Sequence, residues 1–221
     1  MKNVFAALPV AAVLALVFAA PVPAETPAAP AALAPAPTLD MVRAGFEKTP
    51  VVRCAFRNER RVKGLARPLV SRGEVLVARG AGLRWHQTRP FKMTLLAQPH
   101  RLVQTVDDQP PQVVTAASNP QIFRFGHLLA DIFNANIAAL EKNFTVRFTG
   151  TAGGGWTLAL TPRGAPLDKV FRQITLDGAS PSQLDGVVIE DAQGDTSRLR
   201  FTDHKTAPAT LTDAERALFA K

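Results

Sequence analysis

The stretch Gly82-Leu83-Arg84-Trp85-His86-Gln87-Thr88-Arg89-Pro90 decides the fold, because it has the pattern of a short β-strand between two turn signals. The glycine-rich segment 79–82 precedes the strand, and Pro90 follows it. Leu83 and Trp85 alternate with Arg84 and His86, so the strand has two faces of different polarity. This pattern is typical of a half-buried strand in an antiparallel sheet.

The sequence predicts similar strands before and after residues 82–90. The period of the apolar residues changes from 3.6 to 2 at Val51, where Val52, Cys54 and Phe56 share one face. Short length, alternation and turn boundaries predict further strands over 73–78, 91–98, 101–106, 112–115, 144–149, 156–161, 170–177, 186–191 and 197–202. Because short turns join many of them, we expect one continuous antiparallel meander of about ten strands.

Helices interrupt this pattern at three places. Thr38 caps a short amphipathic helix, and Thr212-Asp213-Ala214-Glu215 has the pattern of a capping box. Between the two halves of the sheet, Asn119-Pro120 starts a helix with a broad apolar face, and a second short helix follows over 137–142. We therefore predict an α+β fold in which a curved sheet buries its concave face against these helices. The space between them is either a filled core or an apolar cavity.

The N-terminus has the layout of an export signal. Residues 1–24 combine Lys2, an apolar run and a small-residue cleavage site before Glu25, which is typical of a secretory signal peptide. A retained N-terminal anchor is the alternative, because the apolar run approaches the length of a membrane span. Residues 25–37 form a Pro/Ala-rich linker. We expect cleavage after Ala24, export from the cytosol and one folded domain over 38–221.

Charge and cysteine content narrow the function classes. The net charge is +8, but the basic residues are dispersed and tyrosine is absent, which argues against a nucleic-acid-binding protein. Cys54 is the single cysteine, so no intrachain disulfide can form. It shares a strand face with Val52 and Phe56, and we expect a buried, unreactive thiol.

The sequence offers little that points to an enzyme. Its four histidines do not have the spacing of a zinc helix, and there is no Gly-x-Ser-x-Gly motif. Asp203-His204 follows a strand and is the best pair for a hydrolase, although a surface dipeptide is the more common case. We predict a protein without catalytic activity, metal or cofactor.

Several motifs together resemble the periplasmic lipoprotein carrier family (LolA-like). Residues 83–90 fit its Leu/Phe-Arg-Trp-x-x-x-x-Pro signature, and Ser71-Arg72-Gly73-Glu74 fits the strand before it. Phe56-Arg57-Asn58 stands where the family has a Phe-x-Gln motif, with Asn58 in place of Gln. Leu160-Thr161-Pro162-Arg163 is similar to the family's Leu-x-Pro-Lys/Arg segment, and the strand starting at Phe171 follows it. The order of elements agrees from Leu39 to about Thr202.

This resemblance implies an unclosed antiparallel β-barrel of about ten to eleven strands, with a helical lid over an apolar cavity. The cargo would be the acyl chains of a lipoprotein or a related lipid, passed from an inner-membrane release or export complex to an outer-membrane acceptor. The resemblance also implies a location in the periplasm, and we expect a monomer. The family's signature arginine holds lid carbonyls, which makes Arg84 the candidate lid latch. The candidate cavity-lining residues are Phe56, Met93, Leu95, Phe123, Phe125, Leu129, Ile132 and Phe133.

The chain departs from the family pattern after the signature, where segment 98–106 lacks the usual Asp-Gly turn and aromatic residues. This difference leaves the identity of the cargo open. Two other functions remain compatible with the sequence. One is a non-catalytic envelope module that binds an anionic polymer or a protein partner through its basic surface. The other is a hydrolase that uses Asp203 and His204.

Overall fold

The strand pattern of the sequence forms one eleven-stranded antiparallel sheet in a computed structural model, which describes residues 34–220. The strands are β1 (Val51–Arg61), β2 (Leu69–Ala78), β3 (Gly82–Arg89), β4 (Met93–Gln98), β5 (Arg101–Val106), β6 (Gln112–Val114), β7 (Phe144–Gly150), β8 (Trp156–Pro162), β9 (Phe171–Gly178), β10 (Gly186–Asp191) and β11 (Thr196–Lys205). β2 starts four residues before the predicted strand, and β11 extends three residues beyond it.

The first and last strands pair at the centre of the sheet. The spatial order is β6-β5-β4-β3-β2-β1-β11-β10-β9-β8-β7, and Phe56 of β1 lies opposite Phe201 of β11. Two meanders are therefore joined through β1 and β11, and β6 and β7 are the two unpaired edges. The predicted fold class, an unclosed antiparallel barrel with helices, is confirmed.

The helices start where the capping residues predict. They are α1 (Leu39–Glu47), α2 (Pro120–Phe133), α3 (Ile137–Glu141) and α4 (Asp213–Phe219), and a short 3-10 turn covers Leu167–Lys169. The side chains of Thr38 and Asn119 accept hydrogen bonds from the first turns of α1 and α2. Thr212 and Glu215 form the predicted capping box of α4.

The sheet has apolar residues packed on both faces. The inner face, which α1 and α2 cover, carries the main core, including Phe56, Leu83, Phe201 and Leu176. The outer face carries a smaller cluster beneath α4, made of Val51, Leu76, Ala78, Leu96 and Phe219. A cavity between the sheet and the helix α2 would therefore lie on the inner face.

The predicted signal peptide lies outside the described residues, as does the linker up to residue 33. The last residues of the predicted linker, 34–37, contact the folded body. Pro37 is buried, and the carbonyl oxygen of Ala34 accepts a hydrogen bond from the Gly153 amide at 2.7 Å. Within residues 34–220, no helix is both long enough and apolar enough to cross a membrane.

Candidate functional site

Helices α2 and α3 connect the two unpaired edges of the sheet, because they lie between β6 and β7 in the chain. α2 contacts β4 and β5, and α3 contacts β7. α2 approaches β5 closely at Gly126, where an added Cβ would lie 2.4 Å from the Leu102 Cδ2 atom. The pair of helices therefore forms a lid over the inner face of the open barrel.

A cavity of about 510 Å³ lies between α2, α3 and the β8–β9 connection. Its apolar lining comes from α2 and from the segment around the 3-10 turn, and includes Phe123, Leu128, Leu167, Val170 and Phe171. Val170 is 45% exposed, so the cavity is accessible from the surface at that residue. An apolar cavity that opens beside a lid is suited to an apolar ligand.

One side of this cavity is polar and lies on a single face of α2. The rings of Phe123 and His127 are 4.4 Å apart in an edge-on arrangement, and the His127 Nε2 atom is buried with no hydrogen-bond partner among the described residues. Burial raises the pKa of the Asp131 carboxyl, against the opposing effect of a 2.9 Å hydrogen bond from the Asn136 Nδ2. The α2 face that borders the cavity is therefore amphipathic.

A second, smaller space of about 230 Å³ lies between α1 and the centre of the inner face, and Phe133 lines it. An aromatic cluster occupies the floor beside this space. The ring centroids of Phe56 and Trp85 are 3.9 Å apart, and Phe133 packs on Trp85 at 6.4 Å and on Phe201 at 5.1 Å. This cluster fixes the C-terminal end of α2 on the sheet.

The predicted lining residues separate into three groups. Phe123 borders the 510 Å³ cavity. Phe56, Ile132 and Phe133 are buried in the main core instead, and Phe133 borders the smaller space beside α1. Met93 and Leu95 are half-buried on the inner face of β4, and Leu129 is half-buried on α2. The side chain of Phe125 lies outside the part of the chain that the structure describes.

Arg84 does not lie beneath the lid. Its opposite neighbours in β2 and β4 are Leu76 and Leu96, which belong to the outer cluster under α4. Trp85 lies on the inner face instead, against Phe133 of α2. No hydrogen bond joins Arg84 to any described residue, and burial, opposed by Glu74, lowers its pKa. The expectation of an Arg84 latch is therefore wrong, because the alternation of β3 turns this arginine away from α2.

Arg79, in the turn before β3, is the arginine that lies beside the lid. Its Nη2 donates a hydrogen bond to the Phe46 carbonyl at the end of α1 at 3.1 Å. The same side chain borders a cleft with Asn134, Asn136 and Ile137, which belong to the α2–α3 junction. The sequence marks this position only as a turn, so its contact with α1 was not predicted.

The other candidate reactive residues, Cys54, Asp203 and His204, do not have the surroundings of a catalytic site. Burial raises the pKa of the Cys54 thiol to about 12, which agrees with the predicted buried thiol. His204 Nε2 lies 2.9 Å from the Leu184 carbonyl, whereas Asp203 is exposed and contacts Thr202. His204 borders the space beside α1, whereas Asp203 borders a cleft beneath α4 on the other face of the sheet, so the two residues do not form a catalytic pair. Among residues 34–220, no group of side chains has a metal-binding arrangement.

Comparison with known proteins identifies the family. The family profile described as "Outer membrane lipoprotein carrier protein LolA" matches residues 48–215 of the chain. The chain belongs to the LolA family. An outer-membrane lipoprotein carrier protein of Dechloromonas aromatica (strain RCB) is 27% identical over 177 residues, which cover 80% of this chain and 81% of that protein. A carrier of the same name from Cupriavidus taiwanensis is 28% identical and covers 72% of this chain and 73% of its own.

Among solved structures, a LolA superfamily protein of Nitrosomonas europaea has a TM-score of 0.43 and 14% identity. It covers 84% of this chain and 99% of its own. The identities of 27% and 28% to the two lipoprotein carriers agree with the expectation of a divergent member. Sequence reasoning missed Leu128, Leu167, Val170 and Phe171 as cavity residues. Leu167 lies in the β8–β9 connection, and Val170, predicted as the first residue of a strand, lies just before β9.

Proposed function

We propose that the protein is a periplasmic carrier that holds the acyl chains of a lipoprotein and shuttles them from the inner to the outer membrane. The observation that carries this proposal is the apolar cavity of about 510 Å³ beside the lid. Its volume falls within the range of about 300–1,000 Å³ that is usual for ligand pockets. Membership of the LolA family supports a lipoprotein as the cargo.

The free energy of burying the acyl chains holds the cargo in the cavity. Each methylene removed from water contributes about 0.8 kcal/mol, so ten buried methylenes contribute about 8 kcal/mol before the costs of binding. A carrier of this kind needs no covalent bond to its cargo and no catalytic residue. Release requires that the chains find another apolar environment, either in an outer-membrane acceptor or after a partner opens the lid.

The unclosed sheet supports lid opening. α2 and α3 rest on opposite edges of the barrel, and β6 and β7 are not joined by strand pairing. Movement of the helices therefore breaks side-chain contacts but no sheet hydrogen bonds. Arg79 fixes the end of α1 through its hydrogen bond to the Phe46 carbonyl and borders the same cleft as the α2–α3 junction, so its effect on the lid is indirect.

A cavity-filling substitution tests the proposal without disturbing the buried core. Val170→Trp places a large ring at the cavity mouth, at a position that is 45% exposed. Val113→Trp is the matched control, because Val113 is 54% exposed and lies on the edge strand β6. The probe is a fluorescent triacylated lipopeptide, and its dissociation constant is measured by titration.

We expect Val170→Trp to weaken lipopeptide binding about tenfold or more, which corresponds to about 1.4 kcal/mol, while the control stays within about twofold of the wild type. Thermal unfolding of both variants shows whether the fold is retained. Equal affinities of folded Val170→Trp and wild-type protein would contradict the assignment of the cavity as the acyl site.

A further inference from the structure

A row of four arginines crosses the outer face of the sheet, the face turned away from α2. In the register of β3, β2, β1 and β11, Arg89 lies opposite Arg72, Arg72 opposite Arg57, and Arg57 opposite Arg200. Phe56, the neighbour of Arg57, belongs to the inner core, so Arg57 projects outward. Directly opposed residues share a face, and at about 4.8 Å between strands the row spans about 14 Å.

The row retains positive charge that the fold does not neutralise. Directly opposed like charges destabilise a sheet. Two members have acidic partners, since Arg57 Nη2 lies 2.5 Å from a Glu59 oxygen and Arg200 Nη1 lies 2.6 Å from an Asp177 oxygen. Arg72 and Arg89 are exposed and form no ion pair with any residue in 34–220. The unpaired guanidinium groups are free to bind an anion.

Exposed apolar residues lie at the adjoining end of the same strands. Leu65 is 54% exposed in the β1–β2 connection, between Lys63 and Arg67. Phe91 is 48% exposed in the β3–β4 connection, next to Lys92. Antiparallel pairing puts these two connections at the same end of neighbouring strands. Apolar side chains flanked by basic ones are typical of surfaces that enter the head-group region of a bilayer.

We propose that this basic end, consisting of the arginine row and the two connections, docks reversibly on an anionic phospholipid surface. Guanidinium groups bind phosphate oxygens in bidentate geometry, and a row of them needs no shape-complementary partner. A protein partner would require a packed apolar centre. Of the four opposed outer-face positions next to the row on the side toward α4, three are polar, namely His86, Glu74 and Thr202. The inference does not depend on the nature of the cargo.

Co-sedimentation with lipid vesicles tests the docking surface in the full-length mature protein. The vesicles consist of phosphatidylcholine alone or of phosphatidylcholine with about 30% phosphatidylglycerol, so that only the second surface is anionic. We expect binding to the anionic vesicles alone, and loss of that binding at about 0.5 M salt, where charges are screened within a few ångströms.

Paired variants locate the contact on the molecule. Arg72→Gln/Arg89→Gln removes the two unpaired members of the row and should weaken binding to the anionic vesicles about thirtyfold. Arg147→Gln/Arg172→Gln removes the same charge from exposed residues of β7 and β9, which lie in the half of the sheet beyond β11. This control should change binding by less than about threefold.

Three results would overturn the proposal. Equal weakening by both pairs would show that net charge, and not the row, determines binding. Equal binding to neutral and anionic vesicles would exclude phosphate recognition. Binding to neither kind of vesicle would refute membrane docking and would leave an acidic protein surface as the partner of the row.

Discussion

An ion pair between Arg53 of β1 and Glu215 of α4 adds to the apolar contacts that attach α4 to the outer face. Arg53 Nε lies 2.5 Å from Glu215 Oε1, and Nη2 lies 2.7 Å from Oε2, so the pair is bidentate. The guanidinium also donates to the carbonyls of Pro208 and Thr210. About a fifth of each side chain is exposed, at 18% and 19%. This pair therefore joins the C-terminal segment to the centre of the sheet.

The lowered pKa of Glu215 gives the size of the contribution that the ion pair makes to the free energy of unfolding. The hydrogen bond from Arg53 is the largest cause that lowers this pKa from 4.5 to about 2. A carboxyl shifted by this amount contributes about 3 kcal/mol to the free energy of unfolding at neutral pH. Because the pair is partly exposed, solvent screening reduces the value. We expect a coupling energy of about 2 kcal/mol.

A double-mutant cycle measures this coupling. Arg53→Met, Glu215→Gln and the combined variant are unfolded with urea at pH 7. Gln at position 215 keeps the ability to complete the capping box with Thr212, so the cycle isolates the ion pair. The exposed pair Asp213–Arg216 in the same helix is the control, with an expected coupling of about 0.5 kcal/mol or less.

The same pair predicts a pH dependence with a definite sign. The pKa of Glu215 is lower in the folded than in the unfolded protein, so its contribution is fully present above about pH 4.5 and is lost as the pH falls toward 2. The difference in stability between the wild type and Glu215→Gln should close over that interval. A constant difference down to pH 2, or a coupling no larger than that of the control pair, would refute this reasoning.

Three further predictions concern the lid and the core. Gly126→Val forces α2 away from a leucine of β5 and should destabilise the protein by about 1–3 kcal/mol in urea unfolding, whereas Gly164→Val, in open space, should change stability by about 0.5 kcal/mol or less. Cys54, whose thiol pKa is about 12, should react with iodoacetamide at pH 8 about a hundredfold slower in native than in unfolded protein. Arg79→Gln removes the hydrogen bond that fixes the end of α1 beside the α2–α3 junction and should speed lipopeptide release about three- to tenfold, whereas Arg84→Gln should change it by less than about twofold.

Each of these predictions has an outcome that contradicts it. Equal stability of the two glycine variants would show that α2 does not depend on close approach to β5. Native and unfolded thiols that react at the same rate would place Cys54 at the surface. Faster release in Arg84→Gln than in Arg79→Gln would restore the arginine of β3 as the residue that holds the lid.

Local structure was largely predictable from the sequence. The caps at Thr38, Asn119 and Thr212 act through hydrogen bonds within a few residues, and alternation marks most of the strands. Signals of this kind depend on neighbours in the chain. The pairing of β1 with β11 joins segments that are far apart in sequence, and no local pattern specifies it.

The orientation of β3 shows where local patterns fail. Alternation shows that Arg84 and Trp85 occupy opposite faces, but it does not say which face is inside. The answer depends on two distant partners: Phe133 of α2 packs on Trp85, and α4 covers the outer face beside Arg84. Similarly, Val170 lines the cavity because the β8–β9 connection folds toward α2, a contact between segments that periodicity cannot reveal.

Native mass spectrometry of protein taken from the periplasm tests whether the cavity beside the lid holds acyl chains. We expect an adduct with the mass of an acylated lipoprotein or lipid on the wild type and on Val113→Trp, and a much smaller adduct on Val170→Trp. Wild-type protein that stays free of ligand when acylated lipoproteins are offered, or an adduct equally abundant on folded Val170→Trp, would contradict the carrier function.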